Sequence, residues 1–244
     1  MEKNKFYELV KSHKFLAQKE LGQNYLIDSD ACERIVNSLN INSNDKVIEI
    51  GCGLGSLTYF LNECDSHLDA IDIDESSLMF VRENIKLKEN HIAINKNALK
   101  INYSEYNKVI GNLPYYITSS IIEKVLLTSQ NVDRCVFMVQ KEAYERLTSK
   151  IGTEDYGPLN VLLDYVGEVK PLFNVSRHSF TPEPRVDSLV FEIIIKQHEP
   201  IEKELLVTLK SLFMHRRKTI YNNLKNIVRD SNKTQEILES VGVD

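Results

Sequence analysis

The chain has 244 residues, 42% of them hydrophobic and 27% charged, which is typical of a globular protein with one large domain and a small appendage. No run reaches the roughly 20 apolar residues that a membrane-spanning helix needs. The net charge of −5 argues mildly against nucleic acid, because phosphates are bound by Lys and Arg. Residues 210–229, however, carry six Lys or Arg and no acidic residue, so the distribution of charge matters more than its sum.

The four cysteines form no C-x-x-C pair, and the six histidines do not cluster near them. We therefore expect reduced thiols, with neither a disulfide framework nor a metal site. The N-terminus has no apolar stretch that would mark a secretory signal. These features predict a cytoplasmic protein without a membrane partner.

Strand-like and helix-like segments alternate over the first two thirds of the chain, which predicts an α/β domain with a mostly parallel sheet. Residues 45–50 are predicted to form a buried strand, followed by a glycine-rich turn and a helix from Ser56. Further strands are predicted at residues 67–73, 92–95, 108–111 and 134–140, and further helices at residues 75–87 and 119–127.

The predicted sheet ends in an antiparallel hairpin that runs from residues 161–169 to residues 188–195 through a proline-bearing loop. From residue 202 onward, leucines at helical spacing predict helices. We place a domain boundary near residues 197–201, where His-Glu-Pro breaks the strand. The predicted domains are residues 1–197 and a small helical domain, residues 198–244.

Glu49-Ile-Gly-Cys-Gly-Leu-Gly55 lies between a predicted strand and a predicted helix. Its G-x-G-x-G differs from the G-x-G-x-x-G that cradles a pyrophosphate. S-adenosylmethionine has no phosphate, so its site needs close backbone approach instead. A simple strand–helix turn would use the same glycines. Asp72, however, follows 21 residues after Gly51, near the end of the next strand, where a carboxylate can accept from both ribose hydroxyls. Together these features predict a nucleoside cofactor site.

Asn112-Leu113-Pro114-Tyr115 follows another predicted strand and suits methylation of adenine N6. The N6 lone pair is conjugated with the ring, so a methylating site should place acceptors on both amine hydrogens. The Asn112 side-chain oxygen and the next backbone carbonyl can do this, while Pro114 restricts the backbone. Tyr115 can stack on the extruded base. An Asn-x-Pro turn without chemistry is the other interpretation.

With these motifs, the chain resembles the ribosomal RNA adenine dimethyltransferases over nearly its whole length. The matching segments, in family order, are Leu21–Leu26, Glu49–Gly55, Asn112–Tyr115, Gln140–Glu142, Tyr156–Leu159, Phe180–Ser188 and Arg216–Ile220. The resemblance implies a Rossmann-like class I methyltransferase domain followed by an abbreviated α-helical C-terminal domain, with S-adenosylmethionine as the cofactor.

The resemblance also implies a set of site residues. The residues implied to be catalytic are Asn112, Leu113, Pro114 and Tyr115. The residues implied to line the cofactor pocket are Gln23, Asn24, Leu26, Gly51, Gly53, Asp72, Asn97 and Asn112. The residues implied to meet RNA are Tyr115, Phe180, Arg216, Arg217 and Lys218, although Phe180 would serve equally as a core residue.

Within this wider group of enzymes, those that modify large-subunit RNA for antibiotic resistance typically have Ile where this chain has Leu113. They also lack the segments that match Gln140–Glu142 and Tyr156–Leu159. The small-subunit branch is therefore favoured, which implies dimethylation of two adjacent adenosines in the terminal hairpin of that RNA. The expected partner is ribosomal RNA or the immature small subunit, and the chain is expected to be a monomer. The large-subunit enzyme and a non-catalytic assembly factor remain alternatives.

Three departures accompany the resemblance. Asp72 stands where Glu is usual, and Asn97 stands where Asp is usual, so a hydrogen bond to the cofactor's adenine amine would lack charge assistance. The chain ends at Asp244, which suggests either an abbreviated appendage or a shortened sequence.

Residues 210–229 are expected to form a basic helix that meets the RNA backbone, with at least one of Arg216, Arg217 and Lys218 packed internally. A solvated charged face is the alternative.

Overall fold

The computed structural model of the chain describes residues 2–13, 22–196 and 201–243. In chain order, the strands of these stretches are β1 (Tyr25–Leu26), β2 (Lys46–Ile50), β3 (His67–Asp72), β4 (His91–Asn95), β5 (Lys108–Asn112), β6 (Arg134–Gln140), β7 (Gly167–Val175), β8 (Phe180–Thr181) and β9 (Ser188–Ile195). The helices are α1 (Lys3–Ser12), α2 (Ser29–Ser38), α3 (Ser56–Leu61), α4 (Glu75–Asn84), α5 (Thr118–Leu127), α6 (Lys141–Leu147), α7 (Pro158–Val166), α8 (Lys203–Leu212), α9 (Ile220–Val228) and α10 (Ser231–Ser240).

Seven strands form one central sheet in the order β4-β3-β2-β5-β6-β9-β7. The strands from β4 to β6 pair in parallel, whereas β9 is antiparallel to both β6 and β7. This arrangement confirms the predicted mostly parallel sheet with an antiparallel pair at its C-terminal side. The helical C-terminal region is confirmed as well.

Helices cover both faces of this sheet, which is why its strands are almost continuously apolar. Successive side chains of a strand point to opposite faces. Along β2, Val47 joins an apolar cluster with α1 to α4, whereas Ile48 joins a second cluster with α5 and α7. Both side chains are fully buried, so this strand is fixed from two sides.

The carboxyl ends of the parallel strands meet at one edge of the sheet. The chain runs from β2 outward through β3 and β4, and then returns to place β5 on the other side of β2. Such a reversal opens a crevice at the carboxyl ends, where α/β proteins bind ligands. Asp72 ends β3 and Asn112 ends β5, while Gly51 follows β2 and Asn97 follows β4. The fold therefore brings these four residues to the same edge of the sheet.

A second, two-stranded sheet brings the N-terminal segment to the same edge. β1 pairs antiparallel with β8, with Tyr25 opposite Thr181 and Leu26 opposite Phe180. The Ile27 amide extends the ladder by donating to the Ser179 carbonyl at 2.8 Å. Residues 22–26 are thereby held beside the crevice although they are distant in sequence from the other residues that surround it.

The predicted hairpin is wrong over residues 161–166, which form the second half of α7 rather than a strand. Pro158 occupies the first helical position, where its missing N–H costs nothing. Leu162, Leu163 and Val166 are buried, and Val166 follows the two leucines by four and three residues, which places all three on one helix face. The run is short and apolar, and periodicity alone does not separate a buried strand from a buried helix in such a case.

The predicted basic helix over residues 210–229 is also wrong, because a turn separates α8 from α9. Phe213 ends α8, and Thr219 starts α9 by accepting a hydrogen bond from the Asn222 amide at 3.4 Å. Arg216, Arg217 and Lys218 lie in this turn, and all three are exposed. The expectation that one of them packs internally is therefore wrong as well.

The C-terminal helices are attached to the large sheet domain through α8. Leu206 and Leu209 pack against the apolar cluster that α5 and α7 form with the sheet, and Lys210 Nζ lies 2.8 Å from Glu123 Oε1 on α5. The predicted domain boundary at residue 197 lies outside the described residues and stays a prediction. None of the helices in the described stretches is both long and apolar enough to cross a bilayer.

Candidate functional site

A cavity of about 280 Å³ opens at the carboxyl edge of the sheet. Its wall consists of the segments that follow β2, β3, β4 and β5, together with the chain around β1. The residues predicted from the sequence that line it are Gln23, Asn24, Leu26, Gly51, Gly53, Asp72, Asn97, Asn112, Leu113, Pro114 and Tyr115. The fold thus brings the predicted cofactor and catalytic residues together around one space.

The glycine loop after β2 requires glycine because its backbone turns through the left-handed region. Gly51 and Gly53 have φ of +69° and +51°, which other residues rarely adopt. A Cβ atom at Gly53 would also lie 3.1 Å from the Tyr25 ring. The amides of Gly51 and Cys52 both donate to the Ile71 carbonyl, at 2.9 and 3.0 Å, which closes the loop against β3. The result is a bare backbone wall on one side of the cavity.

Asp72 lies next to the glycine loop and is held by two backbone amides. Gly53 N–H donates to Oδ2 at 2.8 Å and Asp74 N–H donates to Oδ1 at 2.9 Å. Burial raises the pKa of the Asp72 carboxyl, and these backbone hydrogen bonds oppose that shift. A carboxylate offers about four acceptor sites, so two remain for a ligand. Two free acceptors side by side match the two hydroxyls of a ribose.

Asn97 lies at the rim of the cavity and caps a short 3-10 turn, Ala98–Lys100. Its Oδ1 accepts a hydrogen bond from the Leu99 amide at 2.9 Å, and the residue is exposed. The same oxygen keeps a second lone pair, and the Nδ2 group remains a donor. Asn97 can therefore accept from an amine at the cavity, though with an oxygen that already serves the turn.

Residues 22–26, which we call the strap, cross the cavity and connect its two sides. On the cofactor side, Gln23 Nε2 donates to Asp74 Oδ2 at 3.0 Å, and the Tyr25 hydroxyl donates to Gln23 Oε1 at 2.8 Å. On the other side, the strap meets β5, because the Asn24 carbonyl accepts from Asn112 Nδ2 at 3.2 Å. The strap thus couples the glycine loop and Asp72 to the Asn112 motif.

The Asn112 carboxamide is oriented by this contact with the strap. Because Nδ2 donates to the Asn24 carbonyl, the acceptor Oδ1 is the end of the amide that remains for a ligand. Among the described residues, Oδ1 has no hydrogen-bond partner. The side chain lines the cavity and is partly buried, so its position is defined while its acceptor stays accessible.

A second acceptor lies next to Asn112 in the chain. The Leu113 amide donates to the Met138 carbonyl on β6 at 3.0 Å, which fixes the backbone, and the Leu113 side chain is buried. The Leu113 carbonyl accepts no hydrogen bond from the described residues. In contrast, the Pro114 carbonyl is already occupied by the Ile117 amide and the Thr118 hydroxyl. Asn112 Oδ1 and the Leu113 carbonyl are therefore two neighbouring acceptors available at one wall of the cavity.

Tyr115 contributes an aromatic ring to the same wall. Burial raises the pKa of its hydroxyl, and a hydrogen bond with the Gln140 side chain opposes that shift. Gln140 ends β6, the strand next to β5, so the ring is held at its outer end. The half-buried ring lines the cavity and offers a surface on which a planar group can stack.

The remaining predicted residues lie away from the cavity. Phe180 is 5% exposed and belongs to the apolar core, opposite Leu26 in the small sheet, and it does not line the cavity. Arg216, Arg217 and Lys218 lie in the turn between α8 and α9, where Arg216 Nη2 donates to the Thr153 carbonyl at 3.2 Å. Their roles toward RNA stay predictions.

Two carboxyl groups at the site were missed as functional residues by sequence reasoning. Glu49 is fully buried at the cavity floor, accepts from the Thr58 hydroxyl at 2.6 Å, and has its pKa raised to about 8 by burial. The sequence feature that could have indicated Glu49 is a charged residue inside the apolar strand that leads into the glycine loop. Asp74 anchors the strap, and its signal was an N-cap aspartate directly before α4.

A scan against protein-family models matches residues 14–244 to the model described as ribosomal RNA adenine dimethylase. The chain belongs to this family. It is 40% identical over 236 residues to "Ribosomal RNA small subunit methyltransferase A" of Malacoplasma penetrans, which covers 92% of this chain and 84% of that relative. The family and its named relatives are methyltransferases, so the chain is a member of an enzyme family.

Solved structures agree with this membership in the dimethylase family. A dimethyladenosine transferase from Plasmodium falciparum superposes with a TM-score of 0.72 at 28% identity, covering 87% of this chain and 77% of that one. The 23S rRNA methyltransferase ErmE superposes with a TM-score of 0.67 at 23% identity, covering 91% of each chain. At that identity the second likeness establishes the shared Rossmann-like fold alone.

Proposed function

We propose that the chain transfers methyl groups from S-adenosylmethionine to the N6 amines of two adjacent adenosines in the 3′-terminal hairpin of small-subunit ribosomal RNA. The observation that carries the chemistry is the pair of free acceptors, Asn112 Oδ1 and the Leu113 carbonyl, at one wall of the cavity. The membership of the chain in the adenine dimethylase family supports the base, and the printed name of the Malacoplasma relative supports the small subunit.

The residues on the cofactor side fit S-adenosylmethionine. The Gly51–Gly53 wall leaves open the space that side chains would fill, which suits a ligand that needs close approach and no phosphate cradle. The two remaining acceptor sites of Asp72 suit a ribose diol, and Asn97 at the rim suits an adenine amine. When bound, the cofactor supplies a methyl group on a positively charged sulfur, which is a good leaving group.

Asn112 and Leu113 would act on the target amine by accepting both of its hydrogens. Two acceptors on one side of the nitrogen favour a pyramidal amine, whose lone pair then points away from them. After the nitrogen gains the methyl group it carries a positive charge and an acidic proton, which would leave to water. Neither acceptor therefore needs to be a strong base, and the site would act mainly by orientation. Tyr115 would hold the extruded adenine by stacking, and Pro114 would keep the Leu113 carbonyl turned toward the amine.

The turn with Arg216, Arg217 and Lys218 would meet the RNA backbone, since phosphates are bound by exposed Lys and Arg. A ribosomal substrate supports the expected cytoplasmic location. The large-subunit enzyme uses the same chemistry and fold, so the acceptors around Asn112 do not discriminate against it. A non-catalytic assembly factor would need no free acceptors at this wall, which is why we favour an enzyme.

The test is transfer of labelled methyl groups to purified small and large ribosomal particles that lack the modification, followed by mapping of the modified adenosines. Dimethylation of adjacent adenosines in the small particle is the expected result. Label in the large particle would move the chain to the large-subunit enzymes. Tight binding to the small particle without label would leave a non-catalytic assembly factor.

A further inference from the structure

Two consecutive tyrosines follow Pro114, and the local backbone sends their rings in different directions. Residues 115–117 form a 3-10 turn, in which successive side chains are rotated by about 120° because there are three residues per turn. Tyr115 is half-buried, whereas Tyr116 is 57% exposed. Both rings line the cavity, so one belongs to its inner wall and the other to its mouth.

The Tyr116 ring is positioned at the mouth by the strap rather than by polar contacts. The Cε1 edge of the ring lies beside Gly22, whose φ is +63°, and a Cβ atom there would be 3.7 Å from that carbon. Within the described residues, the Tyr116 hydroxyl makes no hydrogen bond and the ring pairs with no other aromatic ring. A large planar surface is thus held in place next to the cavity while most of it stays uncovered.

The substrate explains what such a surface can bind. An adenine extruded into the cavity leaves its neighbouring nucleotide at the mouth, because consecutive nucleotides are joined through one phosphate. That neighbour loses a stacking partner when the adenine leaves the stack. Nucleobases stack on exposed aromatic rings, and every base has a face that can do so.

We propose that Tyr116 is a stacking subsite for the nucleobase that adjoins the reacting adenine. The ligand class is a nucleobase in single-stranded RNA, bound through its face rather than through its hydrogen-bonding edge. This inference rests on the proposed function, since it concerns the second base at the same site. Because the subsite has a fixed place at the mouth, it takes the neighbour on one side of the reacting base only. Of two adjacent adenosines, one therefore brings the other adenosine to Tyr116, and the second brings the nucleotide beyond the pair.

The first arm of the test compares Tyr116→Ala with Tyr116→Phe, using labelled methyl transfer to small ribosomal particles. Loss of one base stack should raise the KM for particles about 5- to 150-fold and change kcat little, because stacking acts before the chemical step. The phenylalanine variant keeps the ring and should behave as the native protein. Tyr165, which is 54% exposed on α7 and does not line the cavity, provides Tyr165→Ala as the matched control.

The second arm uses small particles assembled with an abasic nucleotide on either side of the target adenosine. The native protein should lose as much affinity on one of these particles as Tyr116→Ala loses on the intact one. The variant should lose nothing more, since both changes remove the same contact. Additive losses, or an unchanged KM for Tyr116→Ala, would overturn the stacking subsite. If the native protein does not label the intact small particle, it is the proposed function that fails, and the subsite falls with it.

Discussion

At the scale of single residues, the chemistry depends on which end of an amide faces the ligand. A carboxamide has an acceptor oxygen and a donor nitrogen of nearly the same shape. Facing an amine, the oxygen binds and the nitrogen repels. In this chain the Asn24 carbonyl accepts from the nitrogen of Asn112, which leaves the oxygen for the amine of the proposed substrate. The orientation of the Asn112 carboxamide therefore depends on the Asn24 backbone carbonyl of the strap.

Asn112→Ala should lower methyl transfer by a factor on the order of 10²–10³, the effect of removing one well-placed polar partner of a reacting group. Cofactor affinity should change only slightly, because the glycine loop and Asp72 stay intact. Single-turnover transfer and calorimetric titration with the cofactor measure the two properties separately. Asn24→Ala keeps the backbone carbonyl that orients Asn112, so any effect of this variant should fall on cofactor affinity, and single-turnover transfer at saturating cofactor should stay near the native rate. Substantial transfer by Asn112→Ala would remove Asn112 from the catalytic residues.

Asn97→Asp should tighten cofactor binding about fivefold, since a carboxylate accepts a stronger hydrogen bond than an amide by about 1 kcal/mol. The capping bond to the Leu99 amide can persist, because aspartate is an equally good cap. Calorimetric titration with S-adenosylmethionine measures the change.

The control for this prediction is Asn102→Asp, because Asn102 caps the next 3-10 turn in the same manner without lining the cavity at the glycine loop. Its cofactor affinity should equal that of the native chain. Equal tightening by both substitutions would mean that added negative charge or better capping, and not a contact with the cofactor, is responsible.

At the scale of elements, Glu49 joins β2 to α3 beneath the glycine loop through the Thr58 hydroxyl. Burial raises its pKa in the folded chain from an ordinary 4.5 to about 8, so the folded chain holds a proton that the unfolded chain releases between these values. Stability therefore falls as pH rises through this window, since the folded state binds more protons. The loss is complete above about pH 8 and absent below about pH 4.5.

Glu49→Gln should remove this pH dependence, because glutamine keeps a neutral, hydrogen-bonding side chain at every pH. Relative to the native chain, the variant should gain stability steadily from pH 5 to pH 8. Thermal unfolding followed by circular dichroism at several pH values measures the difference. A constant difference between the two proteins across this range would show that Glu49 does not titrate within it.

Some elements of this fold are easier to predict from the sequence than others. The parallel strands are predictable because each is a short apolar run that ends in a glycine or polar residue. The positions of Asp72 and Asn112 at strand ends are predictable for the same reason. Residues 161–166 were misassigned because a short apolar run fits helix and strand alike. The pairing of β1 with β8 has no local pattern, since two residues are too few to show a period. The hydrogen bond from Asn112 to the Asn24 carbonyl is not predictable from the sequence, because every residue has a backbone carbonyl.

At the scale of the whole molecule, the net charge of −5 hides a basic region. Arg216, Arg217 and Lys218 are exposed together in the turn between α8 and α9, and residues 210–229 contain no acid. Repulsion between an acidic protein and RNA is overcome where such cations are concentrated, because each phosphate contact releases a bound counterion. The chain can therefore be acidic as a whole and still bind RNA with one defined face.

Arg217→Ala should weaken binding to small ribosomal particles and lower the slope of log affinity against log salt by about one, the effect of losing one phosphate contact. Arg217 is the suitable position, because within the described residues its guanidinium has no partner, whereas Arg216 donates to the Thr153 carbonyl. Methyl transfer at saturating particle concentration should stay near the native rate, since the turn does not line the cavity. Lys203→Ala, at an exposed lysine on α8, is the control and should leave the slope unchanged. If both variants keep the native slope, the RNA lies elsewhere on the molecule, and the turn is only a solvated charged surface.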